Sequence, residues 1–252
     1  MIYKRLFCSA PTRHSSEIPF SIPHPPISLR PFPSTSSLSK KSNPQLQQKM
    51  HSSIPMLLAL VAQAASHGMV TSPATRQPGP AAAAVCGQTM VDHYTADGTS
   101  YPENLQRNPA WNGTGYDAAR CNLWLCKGYQ LGDNEAQVQR YAAGDVVDFA
   151  VNIRIPHRGF ANVSVVDLAA NEVVGEPLRV WGDGYADPAS FPNLPRDQVE
   201  FNVTVPELGG RCVEAGACAL QWYWFGQGQT YQSCVDFTQE ASAYAIRGRR
   251  RL

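Results

Sequence analysis

Two histidines and a tyrosine carry the most pointed chemical signal in this chain. His67 stands in "QAASHGMV", where an apolar run passes through small residues into a histidine and a glycine. If the chain is cut before it, His67 offers two nitrogens at once. A free α-amine has a pKa of about 7.7–8.0, so its neutral form is accessible near neutral pH. That amine and the near ring nitrogen of the same residue can close a six-membered chelate on a metal ion. His157, in "RIPHRG" just past Pro156, can supply a third nitrogen from the turn at which a strand is predicted to end.

Three nitrogens in a T leave positions open for an external ligand and one axial place. Planar nitrogen ligation suits Cu(II), which also tops the divalent affinity order. The third element is "QTYQSC", residues 229–234. In a strand Gln229 and Tyr231 share a face, so the tyrosine can approach a metal axially while the Gln229 amide points into the same space. Each feature also has a plainer reading. His157 can be a surface-turn histidine, and Tyr231 a core tyrosine with its hydroxyl satisfied. Tyr231 shares parity with Val235 and Phe237 whereas Cys234 does not, which requires either a bulge or a disulfide on the opposite face.

The cut itself is predicted from "MHSSIPMLLALVAQAAS". It contains Met50, an apolar run from Ile54 to Ala62, and small residues Ala64 and Ser66 at the minus-three and minus-one positions. This is the pattern of a signal peptide over 50–66, too short to span a bilayer. Residues 1–49 are rich in Ser, Pro and basic residues, with Glu17 the one acid. They are expected to be a gene-model extension ahead of a true start at Met50, or else a disordered leader or transit peptide. A cut before His67 leaves 14 Lys and Arg against 19 Asp and Glu, a net charge of −5 where the full chain has +1. The mature protein is acidic, which removes the electrostatic footing for nucleic-acid binding. The basic "RGRRR" is assigned to a tail over 239–252.

Six cysteines remain after the cut: Cys86, Cys121, Cys126, Cys212, Cys218 and Cys234. An even number in a secreted domain implies up to three disulfides. The close pairs Cys121/Cys126 and Cys212/Cys218 can each close a small loop, leaving Cys86 to meet Cys234. A zinc site is the rival use, but no C-x-x-C pair occurs. Sequons at Asn112, Asn162 and Asn202 agree with export to an extracellular location.

Positioning these groups requires a framework, and the hydrophobic pattern supplies one. From His67 to about Gln130 the chain reads as long loops with short helical turns. From Val146 the period changes to two: "VVDFAVNIRIP" sets Val147, Phe149, Val151, Ile153 and Ile155 against Asp148, Asn152 and Arg154. "FANVSVVDL" and "VEFNVTV" repeat the alternation, with Asn162 and Asn202 on the polar sides. "ACALQWYWFG" and "QTYQSCVDFT" complete a set of short strands. The expected fold is all-β, a two-sheet antiparallel sandwich of immunoglobulin or fibronectin III-like type with long disulfide-tied loops, one domain over 67–238.

On these residues the chain resembles the lytic polysaccharide monooxygenases. The stretches "HGMVTSPATRQPG", "CNLWLCKGYQ", "GACALQWYW" and "QTYQSCVDF" look like auxiliary activity family 16, a fungal group, and the likeness runs over nearly all of 67–238. The resemblance implies one copper ion held by the amine and ring of His67 and the ring of His157, with Tyr231 axial and Gln229 beside it. It also implies an activity: with an external electron donor and peroxide or dioxygen, hydrogen is removed from C1 or C4 of a glycosidic link and a cellulose chain breaks. The partners implied are a polysaccharide and an electron donor, with no membrane once the signal is removed, and the protein is expected to be a monomer. In related families a further histidine lies near the copper; here His93 is available for that place, its plainer reading being a loop histidine. Trp181, Tyr185 and Phe191, in the acidic and Pro-rich loop expected over 180–197, can stack on sugar rings or pack internally.

Three other classes are weighed against this. A glycoside hydrolase needs a carboxylate pair across a cleft, whereas the acids here are scattered. A copper-binding protein without glycan turnover is expected to carry an aspartate near the metal; Asp236 is close in sequence to Tyr231 but on the opposite strand face. An adhesive cell-wall glycoprotein would be indifferent to the residue at the cut.

Overall fold

A computed structural model describes residues 67–240. The expected leader, the signal peptide and most of the basic tail fall outside the described residues.

The chain begins with β1 (His67–Ser72) and passes through three short helices, α1 (Pro80–Cys86), α2 (Gln88–Ala96) and α3 (Pro102–Leu105). After a run of 3₁₀ turns come β2 (Gln139–Arg140), β3 (Val146–Ile155), β4 (Gly159–Asp167), β5 (Glu172–Val173) and β6 (Arg179–Tyr185). A one-turn α4 (Arg196–Val199) leads into β7 (Glu200–Thr204), and β8 (Cys218–Gly226) and β9 (Gln229–Thr238) close the fold as a hairpin.

The strands form two sheets. One is three-stranded in the order β1-β3-β7; the other runs β2-β9-β8-β4-β5, with β6 also pairing β4. Pairing is antiparallel apart from the short β2–β9 contact, which is parallel. The period-two pattern dictates which side faces in: Val147, Phe149, Val151 and Ile153 of β3 and Phe201 and Val203 of β7 are buried against Val163, Val165, Trp222, Trp224 and Val235 of the larger sheet. The expected all-β sandwich is the observed architecture.

Three expectations are corrected. Residues 67–72 are not loop but a strand edge-paired to β3, a segment whose "HGMVTS" has little alternation and whose pairing is supplied by its partner. The stretch 180–197 is not all loop: its first residues form β6, and Trp181 and Tyr185 point into the core, while Phe191 stays half exposed. Two of the three disulfide pairs also differ. Cys212–Cys218 forms as expected, but Cys86 bonds Cys121 and Cys126 bonds Cys234. The reason is tertiary. Residues 116 and 117 pair with the end of α1, through the Cys86–Tyr116 bridge and the Asp117 amide on the Val85 carbonyl, and this brings Cys121 to Cys86. Cys126, in a left-handed conformation, is then turned toward the outer face of β9.

The parity conflict at Cys234 resolves the same way. The β8–β9 register is continuous from Cys218↔Phe237 to Gly226↔Gln229, so there is no bulge. Tyr231 faces the sandwich core and Cys234 faces the loops outside it, where Cys126 meets it.

Candidate metal centre

β1 and β3 bring the two histidines to one end of the sandwich. His67 is the register partner of Ile155, the last residue of β3, and His157 follows two residues later in the link that crosses to β4 in the other sheet. Both are buried, at 6% and 7% exposure. Tyr231, fully buried, enters from the start of β9. Close approaches lock the three elements together. A Cβ on Gly68 would lie 3.0 Å from the Trp224 ring, and one on Gly226 would lie 2.5 Å from the His157 carbonyl oxygen. Trp224 in turn stacks on Tyr231 with ring centroids 4.3 Å apart. The glycine after His67 and the glycine ending β8 are therefore packing requirements of this corner.

Residues the sequence reading did not single out surround His67. Asp97, in the turn after α2, places Oδ2 2.9 Å from His67 Nε2. The same carboxylate oxygen accepts from Arg154 at 2.7 Å, and the Thr99 hydroxyl and amide donate to the other oxygen. Burial alone would raise the Asp97 pKa, but the Thr99 bonds, His67 and Arg154 together hold it below the usual carboxylate value. The carboxylate is thus anionic at neutral pH and fixes one tautomer and orientation of the ring. The Gly68 amide donates to the Thr99 carbonyl at 3.1 Å, tying the same turn to β1. Nothing in "HYTADGTSY" marked Asp97 beyond an ordinary D-G turn; its role follows from where the turn lands.

A second support comes from α3. The Glu103 carboxylate accepts from the Thr230 hydroxyl at 2.8 Å and from its amide at 3.2 Å. That pins α3 to β9 and sets Tyr101 between the site's two sides, 5.4 Å from the Tyr231 ring and 6.4 Å from that of His67. Gln229 is where the strand reading placed it: the Tyr231 hydroxyl donates to its Oε1. His93 lies on α2, not in a loop, with Nε2 2.9 Å from the Ser100 hydroxyl and its ring edge against Tyr94. Burial, then the nearby Lys127, lowers its pKa, so it is neutral at pH 7.

Asp236 is buried and engaged elsewhere. Arg76 grips it with Nε 2.6 Å and a terminal nitrogen 2.7 Å from its two oxygens, on the side of β9 away from Tyr231. Among the described residues no cluster of three or more His, Cys, Asp or Glu forms a metal cage.

No protein-family model matches the chain, and no curated protein does. Solved structures similar to it include a chitin-binding domain from Burkholderia pseudomallei, at 14% identity and a TM-score of 0.33, over 69% of this chain and 100% of that one. The copper complex of CelS2, a cellulose-active lytic polysaccharide monooxygenase, is similar at 15% identity and a TM-score of 0.33, over 70% and 100% of the two chains. A lytic polysaccharide monooxygenase of family AA15 from Thermobia domestica, in its Cu(I) state, is similar at 15% identity and 0.30, again over 70% and 100%.

Imidazole nitrogens at His67 and His157 are donor types that a copper ion takes. Asp97 holds the far nitrogen of the His67 ring, which is how a ligating imidazole that uses its near nitrogen is oriented by a carboxylate. In the uncut chain the His67 backbone nitrogen is an amide, so the chelate requires the cut before it.

Proposed function

We propose that the protein is a secreted, copper-dependent monooxygenase acting on β-1,4-linked glucan, in which His67, His157 and Tyr231 would hold the copper ion and Gln229 would stand beside Tyr231. The observation that carries the reading is the β1–β3 register, which sets His67 beside the His157 turn, together with the Asp97 carboxylate on the far side of the His67 ring. Copper bound there supplies one-electron redox chemistry which, with a reductant and peroxide or dioxygen, oxidises C1 or C4 of a glycosidic link.

The chain's own residues prepare that site. Asp97, itself anchored by Thr99 and Arg154, fixes the orientation of the His67 ring. The Gln229 amide holds the Tyr231 hydroxyl, and the Trp224 stack prevents the phenol from tilting. Both histidines are buried, so their orientation is set by packing and not by water. Export is supported by three disulfides, which persist in oxidising compartments. Cellulose as substrate comes from the sequence resemblance. A non-catalytic copper carrier finds no support at Asp236, because Arg76 already neutralises that carboxylate.

The experiment compares copper-loaded protein beginning at His67 with a form extended by Gly-Ser. Each is given amorphous cellulose, a reductant and a small peroxide feed, and soluble products are read by mass spectrometry. Oxidised cello-oligosaccharides from the first form alone are expected. Equal products from both, or none from either despite copper binding, would overturn the proposal.

A further inference from the structure

Outside the candidate centre, the outer face of the larger sheet carries an aromatic patch that the core does not use. Phe160 is 45% exposed, and its ring lies 6.2 Å from Tyr223 and 5.9 Å from Phe225. On β6 the neighbouring Val180 is 64% exposed. Grouped apolar side chains on an outer sheet face call for a cover.

Register places a glycosylation acceptor in the middle of them. Asn162 is directly opposite Tyr223 on β8 and opposite Val180 on β6, and Phe160 is opposite Phe225. Directly paired residues have Cβ atoms about 4.5–5.5 Å apart, and residues two apart on a strand share a face. Asn162 is thus ringed by Phe160 before it, Tyr223 and Val180 on either side, and Phe225 diagonally. It opens the sequon Asn162-Val163-Ser164. The Ser164 hydroxyl donates to Oδ1 of Asn162 at 3.1 Å, so that bond uses the oxygen and not Nδ2, the nitrogen that a glycan takes.

We infer that Asn162 carries an N-linked glycan whose first N-acetylglucosamine lies on the Phe160, Tyr223 and Phe225 rings, and that this sugar is the missing cover of the patch. In the transfer, Nδ2 of Asn162 loses a proton and bonds to C1 of the sugar, while the bond from C1 to the pyrophosphate of a lipid-linked oligosaccharide donor breaks. A pyranose presents one C–H face and one polar edge, which matches aromatic rings beside the polar strand residues Gln221 and Asn162. The assignment requires entry to a glycosylating secretory route and is independent of the metal centre. Asn202 provides the contrast, since its register partner on β3 is Asp148 and its strand neighbours on that face are Glu200 and Thr204.

The test uses the full chain secreted from a eukaryotic host, with Asn112→Gln and Asn202→Gln so that a single sequon remains. Glycopeptide mapping reads occupancy at Asn162. The folded protein is then trimmed to one N-acetylglucosamine, and the bare form is the Asn162→Gln protein from the same host. The one-sugar form is expected to keep the melting temperature of the untrimmed protein. The bare form is expected to melt about 2–4 °C lower and to bind more of a hydrophobic dye. Phe160→Ala should erase the difference between the two forms without changing occupancy. An unmodified Asn162, or a bare form with unchanged Tm and dye binding, would overturn the inference. So would a Phe160→Ala variant, bare at Asn162, that loses binding to insoluble glucan, since the patch would then belong to a free polysaccharide.

Discussion

Oδ2 of Asp97 lies 2.9 Å from Nε2 of His67 and 2.7 Å from an Arg154 nitrogen, so one carboxylate oxygen is shared between the ring at the start of β1 and the guanidinium near the end of β3. The two strands already pair there, and the carboxylate fixes the ring's rotation about that pairing. Substituting Asp97→Asn keeps the shape and removes the charge. In protein beginning at His67, copper affinity should fall on the order of 10–100-fold, as it does when such supporting carboxylates are lost elsewhere. A competition titration with a copper chelator measures it; unchanged affinity would remove Asp97 from the site's support.

Gly226 leaves room for the His157 carbonyl, 2.5 Å from where a Cβ would stand. The obstacle is backbone, so the strand end or the His157 turn must move. Gly226→Ala is expected to cost about 1–3 kcal/mol, a fall in Tm of roughly 2–12 °C for a domain of this size. It should also weaken copper binding, because the displaced element carries His157. Loss of stability with intact copper affinity would show that β8 yields instead.

The three disulfides are expected to contribute unequally. Cys126–Cys234 spans 108 residues and Cys212–Cys218 spans 6. Chain-entropy arguments give about 5 kcal/mol for the first and about 2 for the second. Paired Cys→Ser variants followed by denaturant unfolding should preserve that order. Cys126–Cys234 also anchors the 121–129 segment to β9, where the Gln232 amide donates to the Leu123 carbonyl. Its loss should therefore speed proteolysis within that segment first.

Lys127 is fully buried, with Nζ 2.7 Å from the Gly98 carbonyl and 5.1 Å above the Tyr94 ring. Burial, only partly opposed by Asp97, brings its pKa down to about 7. The sign follows: between about pH 7 and the unfolded value near 10.4, the unfolded chain holds a proton that the folded chain does not. Stability should thus rise with pH across that window and be flat below it with respect to this group. Lys127→Met should flatten the rise, as read by thermal unfolding from pH 6 to 10; an unaltered slope would assign it to other groups.

The local pattern was enough for the strands that face two environments. In β3 and β7 the alternation of side chains is itself the burial pattern, because a pleated strand between core and outside admits no other arrangement. The same parity put Gln229 beside Tyr231 and set Asp236 on the far face, and both hold in the structure. His157 on a strand-end turn was also legible, since Pro156 cannot extend a ladder.

What the sequence by itself determined is therefore the sandwich, its inward faces and the types of residue at the candidate centre. Tertiary structure alone decided the partners. Cys121 is five residues from Cys126 yet bonds Cys86, because residues 116 and 117 pair with the end of α1 and bring Cys121 to it. β1 is a strand because β3 offers an edge to it, not because "HGMVTS" alternates. Asp97, 30 positions after His67, reaches its ring only because the turn after α2 folds back across β1 and is held by Gly68, Thr99 and Lys127. Contacts of this kind depend on loop closure and packing, which no local period encodes.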